Sequence, residues 1–119
     1  MIYKAFFIIR LNDHVQYLKK IDAAIRGLSN FEGTDHYQCK LGRWLYGEGQ
    51  QEIIAMQSQK AKEIFESLFQ PHERFHYWAH KALERKQVHD EEGTKQAMTE
   101  LYICSTLLSN KLLELDKLN

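Results

Sequence analysis

Apolar side chains recur at helical spacing along almost the whole of this 119-residue chain, and only one proline and six glycines interrupt them. Leu11, Leu18 and Ile25 make one seven-residue series, and His14, Ile21 and Leu28 make a second. Together the two series form an inward-facing seam on the first helix. His14 therefore takes a core position in an otherwise aliphatic row. Gly27 and the Ser29-Asn30 pair end that helix. Phe31 to Gln38 reads as a loop carrying Gly33, in which Thr34 or Asp35 caps the next helix. Cys39 to Tyr46 is that helix, a short one closed by Gly47-Glu48-Gly49.

The helical pattern resumes near Gln51 and runs through Ile64, Phe65, Leu68 and Phe69, where Pro71 either kinks the helix or starts the next one. His72, Phe75, His76, Ala79 and Leu83 continue the inward stripe. Asp90 to Gly93 makes the last turn before a long amphipathic helix marked by Met98, Leu101, Cys104, Leu108, Leu112 and Leu115. No segment alternates over a strand's length, and there is no internal repeat or low-complexity tract. The expected fold is all-α: a four-helix bundle with a short extra helix carrying the cysteine motif, one domain over residues 1–119.

Lysine plus arginine equals aspartate plus glutamate at 16 each, and no basic block stands out, so nucleic acid and anionic membranes are poor partners. The longest apolar run, Ala5 to Ile9, is far too short to span a bilayer or to act as a secretory signal. The expected location is cytoplasmic. In that compartment Cys39 and Cys104 are not expected to form a disulfide. Cys104 lies in an apolar stripe and reads as a small core residue. Cys39 is the cysteine with chemistry.

Three histidines and one cysteine complete a tetrahedral zinc site, and His14, Cys39, His72 and His76 offer that set. His72 and His76 lie four apart and project from one helix face. Neutral imidazoles buried without partners are costly, and a metal removes the cost by using their lone pairs. His36 and His80 compete for the site, but a solvated or supporting role fits each better, and His89 stands at a turn. With Cys39 as fourth ligand no position is left for a reactive water, so the site suits binding, folding or sensing.

The segment His72-Glu73-Arg74-Phe75-His76 also matches the His-Glu-x-x-His pattern of zinc hydrolases, in which the glutamate is the general base. The extended pattern needs glycine and histidine further along, where this chain has Ala79 and Ala82. No strand is present to bind an extended substrate. Glu73 then reads as a solvated carboxylate near a helix start. Trp44 and Tyr46 read as aromatic bulk sealing a small core, and Gly42 as a point of close packing against a neighbouring helix.

These residues together resemble the chemoreceptor zinc-binding domain of bacterial signalling proteins. The resemblance rests on Asp13-His14, on Asp35-His36 leading into Cys39-Lys40-Leu41-Gly42-Arg43-Trp44-Leu45-Tyr46, and on Gly47, Gly49, Pro71-His72 and His76. It implies zinc held by His14, Cys39, His72 and His76 inside a helical bundle. It also implies a homodimer that modulates a signalling partner, such as a chemoreceptor or a diguanylate cyclase, either fused or in trans. Some members are linked to oxidant sensing through the zinc-bound cysteine. No catalytic residue is expected. A zinc hydrolase built on His72, Glu73 and His76, and a purely structural zinc bundle, are the alternatives.

Overall fold

The computed structural model describes residues 7–118. These residues form six helices: α1 (Phe7–Ile25), α2 (Lys40–Leu45), α3 (Gly49–Ala55), α4 (Gln59–Glu66), α5 (Phe69–Gln87) and α6 (Glu91–Lys117). No strand occurs among the described residues, as the helical periodicity requires. Ala5 and Phe6 of the N-terminal apolar run lie outside the described residues, while Phe7, Ile8 and Ile9 open α1.

Three long helices, α1, α5 and α6, make the body of the bundle, and α5 against α6 is the most extensive pairing. The fourth wall is assembled from the short helices α2, α3 and α4, with α4 packed on α6 and α2 on α1. The particle is an elongated rod measuring 53 × 21 × 19 Å. Phe7, Ile21, Phe75, Leu101, Leu108, Leu112 and Leu115 are fully enclosed along its axis.

The expected single helix from Gln51 to Phe69 is in two pieces. Gln57 takes a left-handed backbone (φ 52°) that ends α3, and the Ser58 side chain caps α4 by accepting from Ala61 N–H at 3.1 Å. A non-glycine residue at positive φ leaves no compositional mark, so periodicity alone carried the pattern across the break. Pro71 stands third in α5, where its missing N–H belongs to the unpaired first turn, and it starts the helix rather than kinking it. Asp90 caps α6 by accepting from Gly93 N–H at 2.9 Å, so Gly93 lies inside the first turn of α6 and not in the preceding connection.

α1 stops earlier than the apolar seam suggests. Gly27 at φ 78° lets Leu28 N–H reach Ala23 C=O at 2.8 Å and Gly27 N–H reach Ala24 C=O at 3.0 Å. That pair of bonds is the Schellman termination. Leu28 is thereby thrown clear of the core and is 74 % exposed, whereas His14, Tyr17 and Ile21 are buried. Leu11, Leu18 and Ile25 flank them half-buried. Replacing Ile21 with Ala should cost about 2–5 kcal/mol of stability, while Leu28→Ala should stay within about 0.5 kcal/mol. Urea denaturation of the two variants checks which residues belong to the seam.

Candidate metal centre

Cys39 is delivered by local chain geometry. It is the N-cap of α2, with its sulfur accepting from Gly42 N–H at 3.2 Å. Asp35 organises the preceding turn, its carboxylate accepting from Tyr37 N–H and Gln38 N–H at 2.9 Å each. The sequence assigned the capping of α2 to Thr34 or Asp35. Cys39 itself performs it, and Asp35 sets up the turn that leads there. Gly42 packs against the loop rather than a neighbouring helix: a β-carbon there would overlap the His36 carbonyl oxygen and press on the Cys39 sulfur.

α5 supplies the imidazoles. His72 and His76 are buried one turn apart, with ring centroids separated by 4.8 Å. Cys39 Sγ lies 3.2 Å from His72 Nε2. Cys39, His72 and His76 each bring a potential ligand atom to within 4.8 Å of the other two. Two donors at zinc-ligand distances and a tetrahedral angle stand about 3.5 Å apart, so this group has the spacing of a metal site. His72 Nδ1 is buried and has no hydrogen-bond partner. Thiolate sulfur with imidazole nitrogen is the donor set that suits zinc.

His76 is fixed by the backbone. Its Nδ1 is 3.0 Å from the Thr34 carbonyl oxygen, which can only accept. The proton therefore sits on Nδ1, and the Nε2 lone pair is left for a metal. The same oxygen takes His80 Nε2–H at 2.9 Å and the Tyr17 hydroxyl at 3.2 Å. Tyr17 in turn accepts Thr34 N–H at 2.8 Å. His80 is thus a loop anchor. His36 is a neighbour of the site, 6.3 Å from His72 ring to ring, with its Nε2 3.6 Å from the Glu73 carboxylate. Glu73 is exposed and also accepts from the Tyr46 hydroxyl at 3.4 Å.

His14 is buried and packs edge-on against Phe75 at 4.6 Å. It stands outside the Cys39–His72–His76 group, and its Nε2 bonds Ser105 Oγ on α6 at 2.8 Å. The structure therefore gathers three of the four expected ligands and gives the fourth another partner. Trp44 fills the core between Phe7 and Phe65 and donates its indole N–H to Glu52. Cys104 is buried on α6, as its stripe position indicates. Tyr17, the Thr34 carbonyl and Ser105 were not legible as site residues. Ser105 had one signal: a hydroxyl within the otherwise apolar stripe of α6. The Thr34 contribution is a backbone atom and has none.

Electrostatics keep the donors ready for a cation. Burial, reinforced by His76, pushes the His14 pKa down to about 4. Burial, together with His76, His14 and His36, pushes His72 down to about 3. His76 falls to about 4, chiefly through burial and in spite of the Thr34 carbonyl. All three are neutral at pH 7 with lone pairs available. Burial raises the Cys39 thiol, opposed by the amides of Gly42 and Leu41. Capturing a divalent cation at neutral pH thus displaces a proton from sulfur and none from the three imidazoles.

In the unfolded chain these histidines titrate near 6.5, and in the metal-free fold near 3 to 4. Between those values the unfolded state binds more protons, so stability rises with pH and is lost as pH falls from 6.5 toward 4. With three groups acting together the slope reaches up to about 4 kcal/mol per pH unit. Urea unfolding of the metal-free protein across that range should show the midpoint falling steeply, and replacing His72 with a neutral residue should flatten the dependence.

The profile of the chemoreceptor zinc-binding domain matches residues 14–83. The match starts on His14 and takes in Cys39, His72 and His76. No curated protein and no solved structure matches the chain. With the family profile covering more than half of the sequence, and with a buried cysteine–histidine group positioned for a metal ion, the chain belongs to the chemoreceptor zinc-binding domain family.

Proposed function

We propose that residues 1–119 form one zinc-binding regulatory domain in which His14, Cys39, His72 and His76 hold the ion, and that metal occupancy modulates a bacterial signalling partner such as a chemoreceptor or a diguanylate cyclase. The observation that carries this reading is the buried Cys39–His72–His76 group within the span matched by the family. When bound, zinc supplies a cross-link between helices that otherwise meet through packing and a few hydrogen bonds. His72 and His76 anchor it on α5, Cys39 ties in the start of α2, and His14 brings α1 to the same centre. Oxidation of Cys39 to a sulfenic acid would withdraw the sulfur donor, so an oxidant acts on the same output. The domain works in the cytoplasm. No helix of the described residues is long and apolar enough to cross a membrane.

The domain is not an enzyme in this reading. Cys39 takes the fourth coordination place that a hydrolytic water needs, and Glu73 is engaged by Tyr46 and faces His36 at the surface. Protein prepared without chelator should carry one zinc per chain by metal analysis. At free zinc about 1,000 times Kd, occupancy stabilises the fold by about 4 kcal/mol, raising Tm by roughly 15 °C. Cys39→Ser and His76→Ala should each weaken binding by more than about 100-fold, beyond what loss of a supporting residue costs. Glu73→Gln should leave affinity and Tm nearly unchanged, where a hydrolase would lose its turnover. Absence of stoichiometric metal, with Tm indifferent to zinc, overturns the reading.

A homodimer is implied by the family resemblance, and α6 has a surface suited to it. Thr99, Tyr102, Ile103, Thr106, Leu107 and Asn110 line a shallow apolar groove on its outward side. Tyr102, Ile103 and Leu107 are exposed there at helical spacing, opposite the buried Leu101, Cys104 and Leu108. A second copy of this chain is the occupant. Light scattering should give twice the chain mass, and Leu107→Glu should return it to one chain without loss of zinc. A domain that changes neither oligomeric state nor partner output across the zinc titration would be a structural zinc bundle instead.

A further inference from the structure

His14 is matched by the family and buried beside α5, yet its Nε2 is 2.8 Å from Ser105 Oγ on α6. α6 carries none of the four proposed ligands, although it makes the largest helix pairing in the fold. Ser105 is itself buried, at 7 % exposure, within a face otherwise made of Leu101, Cys104, Leu108 and Leu112. A hydroxyl enclosed among apolar groups is unfavourable without a partner, and His14 is the partner it has. The His14 ring is held against Phe75, the residue before His76, so it sits next to the ligand helix while its nitrogen is engaged elsewhere.

We propose that Ser105 is the resting partner of His14 and is exchanged for zinc, so that completion of the metal site is registered on α6 as the loss of a buried hydrogen bond. The inference rests on His14 being the fourth ligand. In the tautomer that carries the proton on Nδ1, which the exchange requires, His14 presents a lone pair at Nε2 and Ser105 donates to it. Coordination uses the same lone pair, and the two bonds exclude each other. No proton leaves His14 in the exchange. Ser105 keeps its hydroxyl hydrogen and turns it to a new acceptor, for which the carbonyl four residues earlier, on Leu101, is within a serine's local reach. Serine back-bonding of that kind bends helices, which gives α6 a geometric response to occupancy.

Competition with a chromophoric chelator, on the full chain, tests the exchange. Ser105→Ala should bind zinc about 3- to 10-fold more tightly than wild type, because the metal-free state no longer holds His14 away. Alanine is the strongest helix former, so α6 stays intact. In a His14→Ala background the same change should have no effect on affinity. Hydrogen exchange over residues 101–109 should respond to zinc in the wild type and not in Ser105→Ala. Binding weakened by about 10–100-fold would make Ser105 an orienting support for a ligand acting through Nδ1 and would overturn the exchange. Unchanged affinity would overturn it as well. If His14→Ala binds zinc as the wild type does while Cys39→Ser does not, the four-ligand reading itself fails, a result separate from either outcome at Ser105.

Discussion

The carbonyl oxygen of Thr34 is the interaction on which the geometry of the centre depends. It receives His76 and His80 from α5 and Tyr17 from α1, and thereby ties two long helices to the loop between α1 and α2. That loop carries the turn closed by Asp35, and the turn leads directly to Cys39. The bond from His76 Nδ1 also fixes a tautomer, which leaves the opposite nitrogen as a donor to metal. One backbone atom therefore places the thiol-bearing segment over α5 and selects the chemical form of a candidate ligand.

Burial does the electrostatic part. Among the described residues no carboxylate is in hydrogen-bond contact with His14 or His72, so low polarity acts on the imidazoles without compensation and holds them neutral. A cluster of unprotonated nitrogens and one thiol is poor at holding protons and well suited to a cation. It is also a costly way to use a core: His72 Nδ1 is enclosed without a partner. A structure that keeps polar donors at its centre instead of leucines gives up stability in the metal-free state, and metal binding restores it.

α6 is the element that His14 reaches across the core. It is the longest of the six helices, with 27 residues. Acidic Glu91 and Glu92 at its start and Lys117 at its end complement the helix dipole. One side carries the buried stripe from Ala97 to Leu115, which includes Ser105, and the other carries the exposed Tyr102, Ile103 and Leu107. Ser105 is one residue in sequence from Thr106 on the outward groove. The same short stretch of helix thus faces His14 on one side and the open surface on the other.

Local pattern was enough for the all-α class, for the short cysteine helix to within a residue at each end, and for the pairing of His72 with His76, because helical periodicity and i,i+4 spacing are properties of neighbouring residues. The cysteine motif brought the family and the zinc with it, since donor type is written in residue identity. Packing settled the rest. Leu28 fits the apolar seam in register, but the left-handed Gly27 turn takes it out of the core. The helix expected after Gln51 breaks at a non-glycine residue with positive φ. Gly42 answers to the His36 carbonyl rather than to another helix, and His80, which extends the ligand row on paper, anchors the loop through Thr34. His14 was legible as a polar residue in the core, but its bond to Ser105 spans 91 positions. Contacts of that range arise only when helices pack, and they decide which lone pairs are free.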